Sequence, residues 1–167
     1  NASGMATFPS LPIGTYPFTA TLAGYSDGTV SLAITHGGVA AATIPLTAQV
    51  GKATVTVTDA SNAPVSGATV SVTVGGTTKT ATSGADGTAV FASLPIGTYR
   101  FTAVKTNYST GEASATVTSG GSVALAIPIS QLTSSANITV TDGTNPINGA
   151  TVNVSVGGAT QTATTVG

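Results

Sequence analysis

The heptapeptide SLPIGTY at Ser10–Tyr16 returns unchanged at Ser93–Tyr99, 83 residues later. That duplication constrains the fold more than any other feature of the chain. The same offset pairs Phe8 with Phe91, Phe18 with Phe101, Tyr25 with Tyr108, Gly38 with Gly121 and Pro45 with Pro128. It also pairs the TVTD at 56–59 with the TVTD at 139–142. One deletion then sets the offset to 82, where SGATVSVTVGG at 66–76 matches NGATVNVSVGG at 148–158.

The phase of this repeat divides the chain. A complete unit runs from 52 to 131, residues 1–48 match only its later part, and residues 135–167 match only its beginning. The closing TATTVG and the opening NASGMATF, laid end to end, approximate the TATSGADGTAVF of the complete copy with two extra residues. We therefore expect the end of one 167-residue segment to lead into the start of an identical one. Either the segments are consecutive in a tandem array, or separate chains complete each other's split domains.

Within the unit the apolar residues alternate with a period of two: ATVTVTD at 53–59, ATVSVTV at 68–74, TYRFTAV at 98–104 and ASATVTS at 113–119. Alternation of Val, Phe or Tyr with Thr or Ser is the mark of half-buried strands. Thr and Val, branched at Cβ, suit a pleated surface. Turn signals separate the runs, at APVSG 63–67, GG 75–76, ADG 85–87, LPIG 94–97 and GG 120–121. No run of ten residues has helical periodicity. About seven short strands in about 80 residues predict an all-β chain of tandem antiparallel sandwiches. Short linkers are expected at TAQVGK (47–52) and SQLTSSA (130–136).

Composition narrows the function. Only nine of 167 residues carry a full charge, far below the roughly 25% usual in soluble domains. Ser and Thr, 17 and 33 in number, take their place. A nearly neutral surface has little self-repulsion and associates readily. Lys52, Lys79, Lys105 and Arg100 are scattered, so a nucleic-acid footprint is excluded. No apolar run approaches the roughly 18 residues of a spanning helix. Without cysteine there is neither a disulfide nor a thiolate.

The order TVTD, APVSGATVSV, ADGTAVFASLPIGTYRFTAVKTNY, VALAIPI resembles the carboxypeptidase regulatory-like (transthyretin-like) β-sandwich domain. It is also similar to the collagen-adhesin B-type stalk domain of prokaryotic surface proteins. Both are seven-stranded Ig-like folds, which the resemblance implies here. Stalk domains of that type often carry a Lys–Asn or Lys–Asp isopeptide bond promoted by a buried acid. At the matching positions this chain has Val57 and Val140 for the lysine, and Ala103 and Ala20 for the acid. No such bond is expected, and Lys52 is the nearest substitute lysine.

Few residues offer chemistry. His36, the single histidine, stands in THGG and reads as a solvated turn residue. Of the acids Asp27, Asp59, Asp86, Glu112 and Asp142, only Asp59 and Asp142 are equivalent between copies. Each ends a strand, where Asp commonly bonds its own backbone. General acid–base work needs positioned titratable pairs, and calcium needs several oxygen ligands in one place. Neither arrangement is present, so no catalytic residue, metal or cofactor is expected. Four N-x-S/T sequons mark Asn1, Asn107, Asn137 and Asn153 as N-glycosylation acceptors. Asn1 and Asn107 are expected in surface turns, and Asn137 and Asn153 on strands.

The expected function is structural: a subunit or segment of an extracellular, cell-surface filament or stalk of stacked Ig-like repeats, with itself as the main partner, head to tail and by lateral bundling. A ligand- or carbohydrate-binding adhesin is the alternative, with Tyr25 and Tyr108 as its only aromatic candidates. An accessory domain of a secreted enzyme is a third.

Overall fold

The computed structural model describes residues 3–166. It is all-β among those residues, with eleven strands and no helix. Contacts divide it into two units, one up to Leu132 and one from Thr133 onward.

The first unit opens with the hairpin β1 (Gly14–Ala20) and β2 (Gly28–Ile34). Seven strands follow: β3 (Val50–Thr58), β4 (Thr69–Val74), β5 (Thr77–Thr82), β6 (Thr88–Pro95), β7 (Gly97–Val104), β8 (Gly111–Val117) and β9 (Ser122–Pro128). They form a three-stranded sheet ordered β6-β3-β9 and a four-stranded sheet ordered β5-β4-β7-β8. The second unit holds the hairpin β10 (Thr151–Val156) and β11 (Ala159–Thr164).

Alternation produces the core. Along β3, Ala53, Val55 and Val57 are fully buried, and Thr54, Thr56 and Thr58 between them are half-buried on the other face. Val70 and Val72 of β4, Phe101 and Ala103 of β7, Leu94 of β6 and Ile127 of β9 meet them from the two sheets. Each buried Val, Leu or Phe is worth about 1.5–3 kcal/mol in transfer terms. Phe91 and Phe101 pack with ring centroids 5.6 Å apart at 57°, the tilted arrangement that aromatic quadrupoles favour. The β4–β5 turn consists of Gly75 and Gly76, both at positive φ (54° and 81°), as a two-residue turn matched to strand twist requires.

Two details depart from expectation. The sandwich is not wholly antiparallel: β3 pairs antiparallel with β6 but parallel with β9. Ends that are distant in sequence thus flank the same central strand. The expected linker at 47–52 is also shorter, because Val50–Lys52 already belong to β3. Gly51 makes that early pairing feasible. A Cβ there would meet Thr118 O at 2.4 Å and Gly121 O at 2.9 Å, so only glycine lets the strand in so close.

Candidate assembly site

Residues 3–48 reproduce part of the sandwich in detail. The β1–β2 hairpin has the register of β7–β8, from Gly14↔Ile34 against Gly97↔Val117 to Ala20↔Gly28 against Ala103↔Gly111. The isolated bridge Tyr25↔Ala48 repeats Tyr108↔Gln131. Phe8 and Phe18 stand 5.5 Å apart at 60°, the arrangement of Phe91 and Phe101. A Cβ on Gly28 would meet Ile44 Cγ2 at 2.5 Å and Pro45 O at 2.7 Å. On Gly111 it would meet the equivalent Ile127 Cγ2 at 2.7 Å and Pro128 O at 2.4 Å. Both flanking segments therefore keep their places against the hairpin.

What this half lacks is the strand between them. Residues 5–12 and 39–45 correspond to β6 and β9, yet neither is a strand. In the full sandwich their ladder partner is β3, which has no counterpart in residues 3–48. Phe8 is 60% exposed where Phe91 is 6% exposed.

The second unit carries the complementary part. β10–β11 repeats β4–β5, with Thr151↔Thr164 answering Thr69↔Thr82 and the turn glycines Gly157 and Gly158 again at positive φ. The Ser83 hydroxyl accepts from Ala68 N at 2.8 Å and donates to Val65 O at 2.7 Å. The Thr165 hydroxyl does the same with Ala150 N at 2.9 Å and Ile147 O at 2.7 Å. Asp59 and Asp142 both accept from their own turn: from Ser61 N and Ala63 N, and from Thr144 N and Asn145 N. Backbone N–H groups of Asn145 and Thr144 hold the Asp142 carboxyl below its usual range. The segment matching β3, residues 133–141, is not a strand. Ile138 is 62% exposed where Val55 is fully buried, and Val154 is 53% exposed where Val72 is 2% exposed.

The sequon residues fall in different settings. Asn107 is exposed in a turn at φ 68°. Asn153 is exposed on β10, where its Oδ1 accepts from Thr162 Oγ1 at 2.7 Å. Asn137 is exposed but, against expectation, is not on a strand, because residues 132–140 have no ladder to join. Asn1 lies outside the described residues.

His36 occupies an exposed turn. Val57 and Ala103 are fully buried, so the isopeptide positions of the complete unit are core packing; Ala20 and Val140 are half-buried, and Lys52 is exposed. Tyr108, offered as a ligand platform, instead packs against the core with Lys105 Nζ 5.0 Å from its ring centre. Tyr25 is 40% exposed. Among the described residues no three His, Asp or Glu side chains converge as metal ligands. No helix there is long and apolar enough to cross a membrane. A shallow depression of about 540 Å³ beside Ile96, Thr116 and Val117 contains no ionisable side chain.

Among solved structures, the chain is similar to the minor pilin of Streptococcus agalactiae (16% identity, 84% of this chain and 69% of that one, TM-score 0.49). It is also similar to the Bacillus anthracis TIE protein (15%, 70% and 24%, TM-score 0.46) and to a streptococcal ancillary pilin (14%, 93% and 61%, TM-score 0.42). It thus spans about a quarter of the TIE protein and under two thirds of the ancillary pilin. No curated protein matches. The sequence of residues 52–130 matches the family described as Carboxypeptidase regulatory-like domain. The β-sandwich built on the GATV, DGTAVF and LPIGTY motifs thus resembles the carboxypeptidase regulatory-like domain over residues 52–130, a little under half of the chain.

Proposed function

We propose that this chain is a structural unit of an extracellular cell-surface filament or stalk. Its Ig-like repeats stack in line, and the split repeat at each junction is completed by residues 133–167 of one copy and 1–48 of the next. The observation that carries this reading is how the core is divided. The fifteen buried apolar residues of the complete sandwich comprise seven at positions 53–72 and eight at 89–129. All seven have apolar counterparts between 136 and 154, and all eight have them between 6 and 46. Neither end duplicates what the other supplies. Exposed apolar faces such as these seek cover, and strand addition covers the side chains and the backbone groups together.

The role is mechanical, and the near-absence of charge supports close lateral packing of threads. Asn107 is the sequon best presented for a glycan. Negative-stain microscopy of the purified chain tests the reading: thin, regularly beaded threads are expected, and dispersed monomers at all concentrations would refute it. Boiling in detergent then separates a covalent array from a polymer of chains of 16.0 kDa.

A further inference from the structure

Resting on the filament reading, we infer how the junction is made: residues 136–141 of one copy enter between residues 5–12 and 39–45 of a second copy as the missing central strand. The strand runs antiparallel to the first segment and parallel to the second. The register follows from the complete sandwich, where Thr54 lies opposite Val90 on one side and Ala124 on the other. Asn137 therefore lies opposite Thr7 and Ala41, and Ile138 turns into the core between Ala6 and Ala42.

Two observations support a prepared slot. The walls are already in place without the strand, since the Phe8–Phe18 contact fixes one and the close approach of Ile44 and Pro45 to Gly28 fixes the other. The packing beside the slot is also conserved in volume though not in residues. In the complete sandwich, β8 presents Ala113 and Ala115 and its neighbour β9 presents Val123 and Leu125, all against the one core. In the amino-terminal half the sizes are exchanged, with Val30 and Leu32 on β2 beside Ala40 and Ala42. Volume-conserving exchanges are what a packed core tolerates, and two coupled ones make sense only if 39–45 packs there as β9 does. The match begins at Ala136 rather than earlier. Ser134 replaces Gly51, whose position has no room for a Cβ, so residues 133–135 take another path.

The chain has no cysteine, so engineered pairs report without background. Thr7→Cys in one preparation and Asn137→Cys in another are mixed, assembled and oxidised. A reducible species of twice the 16.0 kDa chain mass is expected, and a ladder from the double variant T7C/N137C. Pairing N137C with A6C instead, one residue out of phase and on the opposite face, should give little or no link. Equal linking of A6C and T7C overturns the register. A monomeric intrachain link in the dilute double variant overturns the choice of a second copy. Threads that form while T7C and N137C stay unlinked overturn this junction and leave the filament reading intact. Absence of both threads and links overturns both.

Discussion

Phe8 stands over Phe18 at 5.5 Å and 60°, the geometry of the buried pair Phe91 and Phe101, while remaining 60% open to water. On the proposed junction, Phe8 already holds the position it would have once a second copy supplies the rest of the core. Truncating Phe91 to Ala should lower the stability of the chain by about 3–5 kcal/mol, the range for a buried Phe. Phe8→Ala should cost the dispersed chain no more than about 0.5–1.5 kcal/mol, the worth of its pairing with Phe18, yet greatly reduce thread formation. Denaturant titration and microscopy of the two variants give the comparison.

The hydroxyl clamps offer a second pair. Ser83 is buried and makes two backbone hydrogen bonds, so Ser83→Ala strands an N–H and a C=O at a cost of about 1–3 kcal/mol. Thr165→Ala removes the same two bonds from the second unit. Hydrogen exchange at Ala150 should accelerate there while that at Ala68 is unchanged.

Exchanged sizes can be exchanged back. If the proposed junction forms, Ala42→Leu beside the retained Leu32 should overfill its core, a fault that costs about 1–3 kcal/mol. Thread yield should fall, and Leu32→Ala added to it should restore the yield. A double variant no better than the single one would show that the two positions do not share a core.

Acid sensitivity should be mild and one-sided. The Thr88 backbone N–H, then its hydroxyl, holds the Asp86 carboxyl below its ordinary value, as the turn N–H groups do for Asp142. A carboxyl depressed in the folded state stabilises above its unfolded pKa, and the contribution is lost as pH falls through the folded one. Thermal stability should therefore be level from neutral pH to about pH 5 and decline below about pH 4, where free carboxylates titrate. Asp86→Asn with Asp142→Asn should flatten that decline.

Much of this architecture was legible in the sequence because the repeat supplied an internal comparison. Alternation at 53–59 and 98–104 gave β3 and β7, and the GG and LPIG turns lie where strands end. The parallel pairing of β3 with β9 was not legible, since alternation reports which face a residue uses and says nothing of its neighbour's direction. Asn137 was misplaced for a related reason: ANITVT has the pattern of a strand, but a central strand exists only when both ladders are present. The exchange between Ala115/Leu125 and Leu32/Ala42 was in plain sight, and acquired meaning only once β8 and β9 proved to be neighbours.

The place of β3 in the middle of its sheet bears on how the proposed thread would break. A strand held at an edge can be peeled off one bond at a time, whereas one held on both sides must slide lengthwise and shear two ladders together. In the proposed thread, a pull along the inserted strand would be opposed by both ladders at once, and the junction would last by the slowness of its release.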